Sequence, residues 1–344
     1  LGFDKVFFNN LESYHRTSTL YNGLGEKIIE RFKSHAMSEP WFYYLHLYDL
    51  MWISTPAHFK PDEGPDEIRD DKYGKNQYER IFSVMDTWLG RILHNLNLKN
   101  TLIVITADHG TDIGVYTSDM EKLNKHYQKL RERDSNISFK IGQKIAHKFP
   151  KSMKPVSKKL AGAYKSKSDE TIQNKIKPEL EKIEKMELRP YEKRLMKNAA
   201  LPTAHVYDDR VHVPLIFSGY NIPSDTIISQ QVQSVDIFAT IADIIGLDNA
   251  NHDRRGRSLI PLMQGKQLEE IPAFLESATN STRSPDSNVI GIRTSEFKYF
   301  RDRDDSTKNV HLYDLREDPL EENNIAETKK DVVEKMEKTV VEIL

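Results

Sequence analysis

The sequence predicts an α/β protein with a mainly parallel central sheet, followed by a small C-terminal α+β subdomain. Short apolar segments that end at polar, Gly or Pro residues predict buried strands at Trp41–Leu47, Thr101–Ala107 and Val213–Ser218. Helical patterns at Leu20–Met37 and Gln77–Leu96 lie between them. Strands that alternate with helices are typical of a parallel sheet covered on both faces.

The C-terminal part of the chain has a different pattern. A last core helix is predicted at Val235–Ile245. After about residue 256, VIGIRTSEFKYFRD alternates as an antiparallel hairpin with its turn near Ser295, and VHLYDL predicts another strand. Lys329–Leu344 has the spacing of an amphipathic helix. These features predict a subdomain spanning residues 256–344.

Composition limits the function classes only loosely. The chain has 344 residues, 38% hydrophobic residues and a net charge of -2, as in ordinary globular proteins. It contains no cysteine, which excludes disulfides, thiolate metal sites and a cysteine nucleophile within these residues. It also contains no apolar run of the roughly 18 residues that a membrane span needs. Nothing in the sequence indicates a cellular compartment, so the localisation is left open.

One segment is strongly basic within an otherwise acidic chain. Residues 116–200 contain 22 Lys/Arg against 11 Asp/Glu, a local net charge of +11. They include four prolines and no apolar strand, so we interpret them as a helical insertion in the core. The predicted organisation is therefore core at 1–115, insertion at 116–200, core continued at 201–255 and subdomain at 256–344.

The stretch TLIVITADHG, residues 101–110, contains the first candidate site. Its strand ends at Asp108, His109 and Gly110. In open α/β sheets, ligands bind beyond the carboxyl ends of the strands, which is where this pair would lie. Taken alone, the pair fits a polar turn or helix cap as well as a metal site.

Several motifs occur in an order that resembles the sulfatase and alkaline phosphatase superfamily. TADHG is similar to its "SDHG" element, and LGFDKVFF to its "GFD" turn. Similar segments follow over nearly all of the chain outside the insertion: PWFYYLHLYD, YERIFSVMDTWLGRIL, HVYDDRVHVPLIFSG, SVDIFATIADIIGL, RGRSLIPLMQG and HLYDLREDPLEENNIAE. The resemblance implies an alkaline-phosphatase-like sandwich.

The resemblance also implies a metal-dependent site. Asp108 and His109 would be two ligands of one divalent cation, with Ca²⁺ as the first expectation and Mg²⁺, Mn²⁺ or Zn²⁺ as alternatives. Attack on an anionic ester needs positive charge to stabilise its non-bridging oxygens, which a cation provides. Gly110 lets the backbone turn directly after the ligands.

Three further residues are candidates by position. His205 lies just before Tyr207-Asp208, where the family often has a basic group that protonates the leaving oxygen; a surface histidine at a strand entrance is the equal alternative. Asp49 and His58 are candidates for contact with the substrate. The family often has a histidine where this chain has Met51, so the substrate need not be that of other members.

The sequence contains no C/S-x-P-x-R motif, from which the family's formylglycine nucleophile is made. We therefore expect an N-terminal, nucleophile-bearing portion outside these residues, and these residues alone to be inactive. The resemblance implies a sulfuric ester hydrolase acting on an anionic sulfate or phosphate ester. The alternatives are a phosphodiesterase, phosphonate hydrolase or phosphoglycerol-type transferase of the same superfamily, or a non-catalytic polyanion-binding remnant.

The basic insertion suggests a partner of its own. Its charge is spread out and lacks the dense Lys/Arg cluster typical of nucleic-acid binding. An acidic polymer or an anionic membrane surface is therefore the expectation, and a solvated helical arm is the alternative.

Overall fold

The computed structural model describes eight stretches of the chain, which belong to two compact units divided between Ile103 and Val104. The described residues are 19–34, 39–52, 65–110, 126–127, 174–201, 205–247, 256–278 and 288–344.

The first unit is built on two helices, α1 (Leu24–Lys33) and α2 (Gln77–Leu93). Helix α2 begins at Asn76, whose side-chain oxygen accepts a 3.0 Å hydrogen bond from the N–H of Glu79. Apolar residues at spacings of three and four bury one face of α2, as the pattern predicts. Its buried residues are Ile81, Val84, Trp88 and Ile92, and short 3-10 turns lie at Leu20–Asn22, Asp49–Trp52, Asp66–Arg69 and Asp71–Tyr73.

Residues 41–48 form neither a helix nor a strand, and they lie outside both sheets of the described residues. Trp41, Tyr43, Leu45 and Leu47 pack against the core of the first unit, whereas the side chains between them are exposed. Successive side chains of a strand also turn to opposite faces, which is why the pattern predicts a strand. The predicted alternation is therefore observed, whereas the strand predicted at Trp41–Leu47 is not among the strands of the described residues.

The second unit contains the sheets, apart from the first two residues of β1, which precede the division. Strands β1 (Leu102–Thr106) and β2 (Leu215–Gly219) form a two-stranded sheet, which confirms both predicted strands. The wider parallel sheet stays a prediction. The helices that follow residue 189 are α3 (Pro190–Ala200), α4 (Asp208–Val211), α5 (Asp236–Ile244) and α6 (Ile260–Met263). Residues 174–184 are also helical.

The C-terminal region forms an antiparallel sheet with one helix packed against it. Its strands, in spatial order, are β3 (Ala273–Ala278), β4 (Asn288–Arg293), β5 (Phe297–Asp302) and β6 (His311–Asp314), and the helix is α7 (Lys330–Ile343). Met336 and Val340 of α7 pack on Ile290 and Tyr299. The hairpin, β6 and the helix confirm the predicted elements, β3 is an additional strand, and the bounds of the subdomain stay a prediction.

No helix in the described stretches combines the length and the apolar character that crossing a membrane requires.

Candidate active site

The loop after β1 presents a carboxylate and an imidazole side by side. The Asp108 and His109 side chains are 62% and 63% exposed, and Oδ2 of Asp108 lies 3.7 Å from Nε2 of His109. Oδ1 of Asp108 accepts a 2.9 Å hydrogen bond from the N–H of His109. Two ligands at 2.0–2.6 Å from one cation lie roughly 3–4 Å from each other, so this pair has a suitable spacing.

The carbonyl of Gly110 determines the tautomer of His109. Nδ1 of His109 lies 2.7 Å from the Gly110 oxygen. A carbonyl oxygen only accepts, so Nδ1 must carry the hydrogen, and Nε2 of the neutral ring keeps its lone pair. Metal-binding histidines are commonly oriented by a hydrogen bond of this kind. The ring nitrogen that faces Asp108, Nε2, is therefore the one whose lone pair can bind a cation.

Gly110 also connects this loop to α4. Its N–H donates a 2.7 Å hydrogen bond to the carbonyl oxygen of Arg210. A Cβ at Gly110 would collide with the carbonyl oxygen of Asp209. A glycine is needed here because two backbone segments pass in close contact.

His205 lies three residues before α4 and is only 9% exposed. Its Nε2 is in contact with the side-chain amide nitrogen of Asn198, on α3. The alternative of a surface histidine is therefore wrong, because the ring is buried. Its proposed role in protonating a leaving group stays a prediction.

Asp208, at the start of α4, lies within a cluster of buried and partly buried charges. Arg293 donates to both of its carboxylate oxygens, at 3.0 and 2.8 Å, and Lys298 forms an ion pair with the same carboxylate. Glu321 accepts a 2.7 Å hydrogen bond from the N–H of Asp208 and lies 2.8 Å from Nζ of Lys298. Lys298 is 0% exposed and Glu321 is 3% exposed. Two cations and two anions thus neutralise each other, the Lys298–Glu321 pair away from water and the Arg293–Asp208 pair partly exposed.

The cluster determines the ionisation of Asp208. Burial alone would raise the pKa of this carboxyl, but the hydrogen bonds and charges of Arg293 and Lys298 lower it to about 2. Burial raises the pKa of Glu321, and the charge of Lys298 opposes that shift. Sequence analysis did not identify this cluster. The signal was present as two cations, Arg293 and Lys298, on either side of the predicted hairpin turn.

Helix α3, which the prediction placed at the end of the insertion, packs closely against the C-terminal region. Arg194 forms a 3.1 Å ion pair with Asp209 and donates to the carbonyl oxygens of Leu320 and Glu321. Its guanidinium also lies 3.9 Å from the ring centre of Tyr207. The partner surface predicted for the basic insertion falls largely outside the described residues and stays a prediction.

The remaining predicted site residues lie elsewhere. Asp49 belongs to the first unit, is 1% exposed and accepts a 2.9 Å hydrogen bond from the N–H of Leu20 through Oδ1. His58 lies outside the described residues. Among the residues that the structure describes, no three His, Asp or Glu side chains form a metal-binding group. Asp108 and His109 are therefore the part of the predicted cation site that the described chain provides.

Comparison with known proteins identifies the fold and the family. The structure resembles that of a putative sulfatase from Bacteroides thetaiotaomicron, with a TM-score of 0.55 and 15% identity over 98% of this chain and 66% of that one. The Sulfatase family model matches residues 1–247, and the model "N-sulphoglucosamine sulphohydrolase, C-terminal" matches residues 190–344. The chain belongs to the sulfatase family, as its motifs predict.

Curated relatives match over a shorter stretch. Arylsulfatase K of Danio rerio is 29% identical over 142 residues, which are 40% of this chain and 27% of that protein. Choline-sulfatase of Rhizobium meliloti is 28% identical over 130 residues, 37% of this chain and 24% of the relative. The match thus spans about a quarter of the length of each relative.

Proposed function

We propose that the chain forms part of a sulfuric ester hydrolase in which Asp108 and His109 bind a divalent cation. The observation that carries this proposal is a pair of exposed ligand atoms after β1: Oδ2 of Asp108 and Nε2 of His109 lie 3.7 Å apart. Membership of the sulfatase family supports it. The names of the two relatives refer to different esters, aryl and choline sulfates. We therefore propose a sulfate ester as the substrate and do not specify its alcohol.

The donors fit a hard or borderline cation. A carboxylate oxygen suits Ca²⁺ and Mg²⁺, and a neutral imidazole adds a ligand without adding charge. When bound, the cation would supply positive charge to the non-bridging oxygens of the ester. The chain itself orients the donors: Gly110 holds the His109 ring through Nδ1, and Arg210 holds the Gly110 backbone.

His205 is proposed to donate the proton that the departing alkoxide needs. Burial excludes competing water, and the contact with Asn198 holds the ring in one orientation. This role can be tested by comparing two leaving groups, because a weakly basic leaving group departs without being protonated by an acid. His205→Gln is expected to slow hydrolysis of alkyl sulfates by about 100-fold, and of 4-nitrophenyl sulfate much less. Equal losses on both substrates would contradict this role.

The test of the proposed function uses the full-length protein, freed of metal and then supplied with Ca²⁺, Mg²⁺, Mn²⁺ or Zn²⁺ in turn. Hydrolysis of 4-nitrophenyl sulfate is compared with that of 4-nitrophenyl phosphate, and cation binding is measured by calorimetry. We expect the sulfate to react faster. Asp108→Asn and His109→Ala should each lower activity and cation affinity by about 100-fold or more.

Matched controls are Asp304→Asn and His94→Ala, which remove an exposed carboxylate and an exposed imidazole from other parts of the chain. Both should retain wild-type cation affinity and activity. Faster hydrolysis of the phosphate ester would favour phosphoryl chemistry instead. Wild-type activity in Asp108→Asn would refute the proposed role of the pair.

A further inference from the structure

The hairpin of β4 and β5 places two cations directly opposite each other. Arg293 and Lys298 are register partners next to the turn. Like charges in this position repel each other across a strand pair. A carboxylate between them removes the repulsion, and Asp208 provides it, bound to both side chains. The hairpin thus carries a built site for one anionic side chain from α4.

Glu321 adds a second connection. It binds Lys298 and also accepts the N–H of Asp208, so both the side chain and the backbone of Asp208 are held. The first turn of α4 is therefore fixed in position and in orientation relative to the hairpin. A surface ion pair would not achieve this, because exposed pairs contribute little and remain mobile.

The orientation of α4 reaches the loop after β1 through one hydrogen bond. The carbonyl oxygen of Arg210, two residues after Asp208, accepts the N–H of Gly110 at 2.7 Å. Gly110 in turn holds the ring of His109 through its own carbonyl oxygen. A continuous series of contacts therefore runs from the C-terminal sheet to the Asp108–His109 pair, and all of it lies in the second unit.

We propose that Asp208 is a positioning residue: bound by Arg293, Lys298 and Glu321, it fixes α4 so that the Arg210 carbonyl holds Gly110 and orients Asp108 and His109. The inference rests on the proposed function only in the use made of the oriented pair, namely cation binding. Its geometric part, the dependence of the Gly110 hydrogen bond on Asp208, stands separately.

A neighbouring ion pair provides the matched control. Arg301 donates to Glu337 at 3.2 and 2.9 Å and joins β5 to α7, and neither residue has a contact in the series that leads to Gly110. Asp208→Asn and Glu337→Gln each remove one carboxylate from a partly buried charge pair of the same sheet. Both variants should lose stability, so stability alone cannot distinguish a positioning role from a structural one.

The measurement is hydrogen exchange of the Gly110 amide in the full-length protein, with the amide of buried Thr240 in α5 as reference. Asp208→Asn is expected to speed Gly110 exchange at least tenfold relative to Thr240 and to lower cation affinity at least tenfold. Glu337→Gln should change neither. If Asp208→Asn does not fold, Arg293→Lys keeps the positive charge but loses the paired contact with both oxygens, and the same result is expected.

The outcomes separate the two proposals. Wild-type Gly110 exchange in a folded Asp208→Asn or Arg293→Lys variant would overturn the positioning role, as would equal acceleration by Glu337→Gln. If the wild-type protein binds no divalent cation, the proposed function fails. Faster Gly110 exchange in Asp208→Asn would then still support the positioning contact.

Discussion

The N–H of Gly110 donates a 2.7 Å hydrogen bond to the carbonyl oxygen of Arg210, 100 residues further along the chain. This bond joins the loop that bears the candidate cation ligands to the helix that follows the candidate acid, His205. The backbone positions of two motifs that are distant in sequence are thus linked by one hydrogen bond.

Replacing Gly110 with alanine should disturb this junction. The added Cβ would collide with the Asp209 carbonyl oxygen, so the two backbones must separate. Overpacking of this kind costs about 1–3 kcal/mol of unfolding free energy. Cation affinity, measured by calorimetry, should fall as well. Gly90→Ala in α2 is the control, because its Cβ would meet no atom within 4 Å. It should leave cation affinity unchanged and stabilise the helix slightly.

Removing the buried amine of Lys298 should be costly. Lys298→Met leaves the Glu321 carboxylate buried without its cation, and breaking a buried pair in this way typically costs about 3–5 kcal/mol. Urea unfolding measures the loss. Combining Lys298→Met with Glu321→Gln removes the uncompensated charge and should recover part of the stability. A double variant as unstable as the sum of the two single variants would contradict this account.

Asp49 should make stability depend on pH. Burial raises the pKa of its carboxyl from 3.8 to about 6, in spite of the hydrogen bond from the Leu20 N–H. The folded state therefore binds this proton more tightly than the unfolded state, so the contribution of Asp49 to stability is full below pH 3.8 and is lost as pH rises through about 6. Two pKa units correspond to about 3 kcal/mol.

Asp49→Asn avoids this loss because the amide stays neutral and its oxygen can still accept the Leu20 N–H. Relative to the wild type, the variant should gain stability between pH 4 and pH 6 and keep the gain at pH 7. Urea unfolding at a series of pH values measures it, with the exposed Asp86→Asn as control. A stability difference that does not vary with pH would refute the raised pKa.

Asp236 should be required for the packing of α5. Its two carboxylate oxygens accept hydrogen bonds from the N–H groups of Gln233, at 2.8 Å, and Arg257, at 2.9 Å. Asparagine offers one acceptor in place of two, so one partly buried N–H loses its partner. Asp236→Asn is therefore expected to cost about 1–3 kcal/mol in urea unfolding. Asp243→Asn, on the exposed face of the same helix, should cost little.

The sequence predicted best those elements whose ends and buried faces are set by their own residues. Helix α2 is capped by Asn76 and buries residues at helical spacing, so its start and its inner face are both predictable; it ends at Leu93, three residues before the predicted end. The same is true of the β4–β5 hairpin, where alternation and a short turn fix the register. Strand β3 was missed, because the short segment IPAFLESA alternates weakly and depends on β4 for its place.

The two candidate cation ligands could be proposed from the sequence, whereas the buried residues that hold the site in position could not. Asp108 and His109 could be identified because a strand precedes them and a known motif includes them. Lys298 could not be identified as buried, since lysines are rarely buried unless they are paired. Its partners Asp208 and Glu321 are distant in sequence, and only the folded chain brings them together.

The hydrogen bond from the Asp208 N–H to Glu321 also constrains the order of events during synthesis. These residues are 113 positions apart. Contacts between distant residues form late, because a long loop must close before they contribute. The loop after β1 therefore leaves the ribosome long before Glu321 does, and it gains the support of the fixed α4 only after Glu321 has been synthesised and has reached Asp208.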